Sequence, residues 1–202
     1  MPEVAINKKL NLVIPIETDT GKIWIHSTPI SRAIFESNWL LLTRTLSYLY
    51  SNTIGPAMAP RVAALGLRDT AKELDETKDV SNDFIIEMYR LTSVLMPNPG
   101  GAPGWQTIPF SEVKARKLID EEQLAEVENA LVYFIVASAV HPKHELGSVF
   151  TGLSGTWKAQ TTSLNVTEYG RSLTTLTQAE NIGEKHAIPQ PRAVLKASSI
   201  PS

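Results

Sequence analysis

The chain contains no cysteine. That excludes a disulfide scaffold and any thiolate metal site, and it suits a reducing compartment. A cationic surplus is missing too: 19 Lys and Arg stand against 21 Asp and Glu, for a net charge of -2. Proteins that grip phosphate backbones carry basic excess, so nucleic acid is not an expected partner. Long apolar runs are also lacking. The longest, Ala130–Val140, is about half of the ~20 residues a bilayer span needs, so no membrane partner is expected. The opening MPEVAINKKL does not show the charged-then-apolar order of a signal peptide. No internal repeat and no long charge block occurs. What remains is an ordinary globular composition, 43% hydrophobic and 20% charged over 202 residues. That suffices for one domain with a real core.

The elements follow from periodicity and punctuation. Lys8–Ser27 reads as a β-hairpin: LNLVIPI, then ETDTGK, then IWIH, with Gly21 free to take a positive φ in the turn. Such a hairpin must pack on something. Thr28 and Pro29 suit an N-cap and first helical residue. Phe35, Trp39, Leu42, Leu46 and Leu49 then recur at helical steps, stopped by Gly55-Pro56. A helix is expected from about Pro60, Ala-rich and with a weak apolar face. Ser81 caps a further helix carrying Phe84, Met88, Leu91 and Leu95, ended by Pro97. PNPGGAPG is the clearest break and reads as a loop. Trp105–Phe110 suits an extended segment, and Ser111 opens a short helix.

The strongest signal lies beyond. Asp120 and Gln123 form a capping box for a helix with Leu124, Val127, Leu131, Phe134 and Ser138 on its core stripe. From Leu131 it is apolar nearly all round, which predicts burial. His141-Pro142 ends it. Leu146, Phe150, Leu153 and Trp157 mark another helix, with Gly147, Gly152 and Gly155 beside it for close backbone approach or a break. Asn165 and Glu168 cap one more. The expected fold is mainly α, one helical domain over 1–180 with a small N-terminal hairpin near 8–27. Residues 181–202 carry three prolines and no apolar period, and are expected as a flexible tail.

No catalytic constellation appears, and neither a metal nor a cofactor is expected. His141, His144 and Glu145 stand close, but the histidines are three apart, where a helical zinc hydrolase needs four. Ser154 misses the nucleophile-elbow spacing by one residue, and Ser163 has no such setting. PNPGGAPG lacks the Lys-Ser/Thr ending of a phosphate loop, and its prolines remove N–H donors. Glu121, Glu122, Glu126 and Glu128 are explained by the helix dipole. Trp39 and Trp157 fall on core stripes, whereas Trp105, beside a Pro/Gly loop, is the better interface candidate.

Gly104-Trp105 with IPFSEV, the run LIDEEQLAEVENALVYFIVAS and above all WKAQTTSLNVTEYGRSLTTLT resemble tail assembly chaperones of long-tailed bacteriophages. The resemblance implies a non-enzymatic protein of the host cell cytoplasm, absent from the mature virion. It would bind and solubilise the tape-measure protein, a long helical chain with apolar stripes, and help recruit the tail-tube protein. The chain would then be the short product of a frameshifting pair. Partner contacts would fall on Trp105 and on the 146–157 helix through Ser154 and Trp157; self-association stays open. The competing reading is a structural virion component, such as a tail completion, connector or minor tail protein.

Overall fold

The computed structural model describes residues 5–6, 11–18, 21–51, 55–75, 80–98, 104–140 and 160–161, with isolated positions between 148 and 171. The fold is mainly helical, with an N-terminal antiparallel hairpin. Strands β1 (Ala5–Ile6), β2 (Leu12–Thr18) and β3 (Gly21–Ser27) come first, then helices α1 (Arg32–Ser51), α2 (Gly55–Leu74) and α3 (Val80–Arg90). Strands β4 (Thr92–Pro97) and β5 (Trp105–Pro109), helices α4 (Phe110–Ala115) and α5 (Glu121–Ala139), and strand β6 (Gln160–Thr161) follow. The tail at 181–202 and the capping box at Asn165 lie outside the described residues.

The hairpin is β2 and β3, paired from Leu12↔Ser27 to Thr18↔Gly21. Gly21 has φ 115°, the left-handed region the turn requires. It does not stand alone. β4 and β5 extend it into a sheet of order β5-β4-β3-β2-β1-β6. Proline inside β2 is tolerated for a local reason. The Glu17 carbonyl accepts from Gln123 Nε2 at 2.8 Å, so it points away from β3. Pro15, two residues back, has the same orientation, and its missing N–H costs no bond to β3.

β4 corrects a sequence expectation. Leu91 and Leu95 sit at helical steps from Phe84 and Met88, yet α3 stops at Arg90 and Thr92–Pro97 is a strand. The Thr92 hydroxyl donates to the Met88 carbonyl at 2.8 Å and closes the helix end. Val94 then faces the main core and Leu95 the opposite side of the sheet. α3 also begins at Val80, so Ser81 lies in its first turn rather than capping it. PNPGGAPG joins two paired strands: Asn98 N–H donates to Gly104 O at 3.1 Å, and Pro97 faces Trp105. That bond fixes the alternation along β5. Gln106 and Ile108 turn their backbone groups towards β4, while Trp105, Thr107 and Pro109 turn theirs to the open edge.

α1 starts later than expected. Thr28 spends its N–H and hydroxyl on the Leu91 carbonyl, and Ser31 Oγ takes the Ile34 N–H at 3.4 Å as the cap. Gly55-Pro56 opens α2 instead of merely ending α1, and Pro60 is one turn inside it. The Ala-rich face is not weak. Ala59, Ala63, Ala64, Leu67 and Ala71 are buried, and small residues let α2 pack against both α1 and α5. A Cβ on Gly66 would sit 3.0 Å from a Tyr48 ring carbon. Any side chain there would press on the Tyr48 ring, which would have to give way.

α5 forms as its sequence dictates. Asp120 accepts from Gln123 N–H at 2.7 Å and Gln123 returns the bond, a complete capping box contributing about 1 kcal/mol. Residues 130–138 are all buried, including Tyr133, Phe134 and Ile135. Helices α1 to α5 all contribute to one core with Leu12, Ile14, Ile16, Ile23 and Ile25 of the sheet.

Candidate interaction surface

The largest exposed apolar side chains cluster on α1. Trp39 is 55% exposed, Tyr50 47% and Leu40 38%. This corrects the reading of Trp39 as core: the buried residues of α1 are Leu41, Leu42, Thr45 and Leu49. The helix is apolar on several sides, and α2 and α5 take the side centred on Leu42 and Leu49. Trp39 is left outward.

Trp39, Thr43, Leu46 and Tyr50 follow steps of four, three and four, one stripe along two to three turns. Several hydroxyls near this stripe are spent within the chain, while Ser47 is exposed beside it. Thr43 donates its hydroxyl to the Trp39 carbonyl at 2.8 Å, Ser37 to Ala33 O at 3.1 Å, and Ser51 to Ser47 O at 2.6 Å. The Tyr50 hydroxyl meets that of buried Tyr133 at 3.0 Å. Arg32 and Glu36 neutralise each other at 2.7 Å. A partner covering the stripe would strand few donors, which lowers the penalty for burying polar groups.

Trp105 is half-buried, its ring edge-to-face with Trp24 at 4.6 Å and 85°. With Val13 and Leu95 these rings form a small cluster on the sheet face opposite the main core. His26 shares that face, 3% exposed, with Nε2 lacking any hydrogen-bond partner. Burial lowers its pKa below the ordinary histidine value, against a smaller opposing effect of its own backbone hydrogen bond. Ser154, Trp157, Ser163, His141, His144 and Glu145 lie outside the described residues. A Cβ on Gly152 or Gly155 would meet nothing within 4 Å among the described residues.

The densest polar cluster was not read from sequence. Glu128 is 7% exposed and joins four helices. It accepts from Arg68 of α2 at 2.7 Å and from the Tyr89 hydroxyl of α3, and Lys114 of α4 stands 3.5 Å away. Burial alone would push the Glu128 pKa up. The hydrogen bonds from Tyr89 and Arg68 and the two cationic charges outweigh it, holding the carboxyl below its ordinary value. Burial and the Glu128 contact push the Tyr89 phenol up. Glu128 therefore does more than complement the helix dipole: it is an ionised clamp. An open cavity of about 540 Å³ lies nearby, between the end of β2 and the start of α5. Lys114 and Lys117 face Glu17, Asp120 and Glu121 across it, a mixture that favours neither anions nor cations. Among the described residues no group of three or more His, Cys, Asp or Glu could hold a metal ion. Among them, no helix is long and apolar enough to cross a membrane.

No family, no curated protein and no solved structure matches this chain.

Proposed function

We propose that this chain works by binding rather than catalysis, as a tail assembly chaperone that covers apolar stripes of a helical tape-measure protein. In this role it would keep the client soluble and help bring tail-tube subunits to it. The observation that supports the reading is the α1 face: Trp39, Leu40 and Tyr50 exposed on a helix where the hydroxyls of Thr43 and Tyr50 are bonded within the chain. Helix-in-groove recognition uses such anchors at steps of three and four.

Co-expression with the tape-measure protein encoded downstream tests this directly. Soluble client is expected to co-purify with the wild-type chain and to be lost with Trp39→Glu or Tyr50→Glu. A client that stays insoluble and unbound beside a folded chain would sink the proposal. Recovery of the chain in purified virions would assign it to the tail structure instead.

A further inference from the structure

We infer that the outer face of the sheet is the seat of this chain's own 146–157 segment, laid across it with Leu146, Phe150, Leu153 and Trp157 turned inward. The inference goes beyond the client reading and stands whatever the client is. Strand alternation puts Val13, Trp24, His26, Ser93, Leu95 and Trp105 on this face. Helices α1 to α5 pack on the other one, around Ile14, Ile25 and Val94. Yet Val13 is 1% exposed, Leu95 2%, His26 3% and Trp24 8%. Side chains stand off a sheet, so neighbouring strands shield them only from the flanks. Burial this deep requires a cover above them, and α1 to α5 do not supply it.

Length and pattern select the occupant. Before α5, no stretch between described residues is longer than 99–103, too short to cross a sheet face as a helix. After it, 141–159 join the end of α5 to β6, which pairs with β1 in this same sheet. Within that stretch Ser148, Thr151, Gly152 and Gly155 are helical and exposed, at the spacing of one helix side. At about 100° per residue, Leu146, Phe150, Leu153 and Trp157 fall on the opposite side. A helix over 146–157 is about 18 Å long, and the strand spacings from β2 to β5 add to ~14 Å. The chemistry of the face agrees. His26 Nε2 is buried there without a hydrogen-bond partner, so what lies over it is apolar, and Phe150 and Leu153 at the middle of the stripe carry no polar side-chain atom. Trp105 and Trp157 are then both spent inside the molecule, which leaves α1 as the face for a client.

Labelling of the full chain with diethyl pyrocarbonate at neutral pH, read by peptide mass spectrometry, tests the cover through His26. The imidazole is expected to stay protected in wild type and in Thr151→Asp, which alters the exposed side. In Leu153→Asp it should be labelled at least about tenfold faster, because a carboxylate pressed on this face lifts the segment away. Circular dichroism verifies that each variant is folded. The absence of native cysteine allows a second arm that puts no charge on the face. Ser93→Cys paired with Leu153→Cys should be bridged within one chain by a short bis-maleimide, whereas Ser93→Cys paired with Thr151→Cys should not. Protection of His26 in a folded Leu153→Asp chain, equal labelling in Thr151→Asp, or bridging of Ser93→Cys to Leu173→Cys in place of Leu153→Cys would each overturn the inference.

Discussion

His26 and Glu128 are both buried ionisable residues, and they respond to acid in different windows. His26 is held neutral, its Nε2 facing no acceptor or donor. Its folded pKa is lowered, so the unfolded chain takes up a proton first. Stability should fall as pH drops below about 6.5, by at most ~1.4 kcal/mol per pH unit. In His26→Phe this limb should flatten, as denaturant titrations between pH 7 and 5 would reveal. Glu128 is also depressed, but as a carboxylate. Its contribution is fully present above its unfolded value and is lost only as pH falls through the lower folded one. Removing the carboxylate at neutral pH leaves Arg68, Tyr89 and Lys114 without it. Glu128→Ala should cost roughly 2–3 kcal/mol, below the figure for a fully buried pair because Arg68 is 42% exposed. Equilibrium unfolding in urea measures it. A loss under ~0.5 kcal/mol would make the cluster incidental.

Local chemistry decided which elements could be read from the chain. The Asp120–Gln123 box, the α5 apolar run and the Gly21 turn act within a few residues, and each forms where its residues stand. β4 could not be read this way. Leu91 and Leu95 mimic a helical stripe, and only pairing with β3 and β5 sends Val94 and Leu95 to opposite faces. α1 hid its orientation for the same reason: an almost uniformly apolar helix has no preferred side until α2 and α5 choose one. Thus the fold class was legible, whereas the exposed α1 face and the Glu128 cluster were products of packing. The α1–α2 crossing offers a test at this scale. Gly66→Leu must displace Tyr48 and Leu49 and should destabilise by about 1–3 kcal/mol, despite leucine's better helix propensity. Unchanged thermal unfolding would mean that the crossing is looser than 3.0 Å suggests.

For the whole molecule, a client of the proposed kind held on the α1 face would cover Trp39 and Tyr50. A client-derived amphipathic helix should then shield both side chains from covalent labelling, and unchanged labelling would count against that surface. The β5 edge of the sheet limits strand addition. Among the described residues β5 offers outward N–H groups only at Trp105 and Thr107, because Pro109 has none. So short a ladder gives another strand little to add to. An edge with so few free donors resists growing into a continuous sheet with further copies, which favours discrete molecules over filaments at that edge.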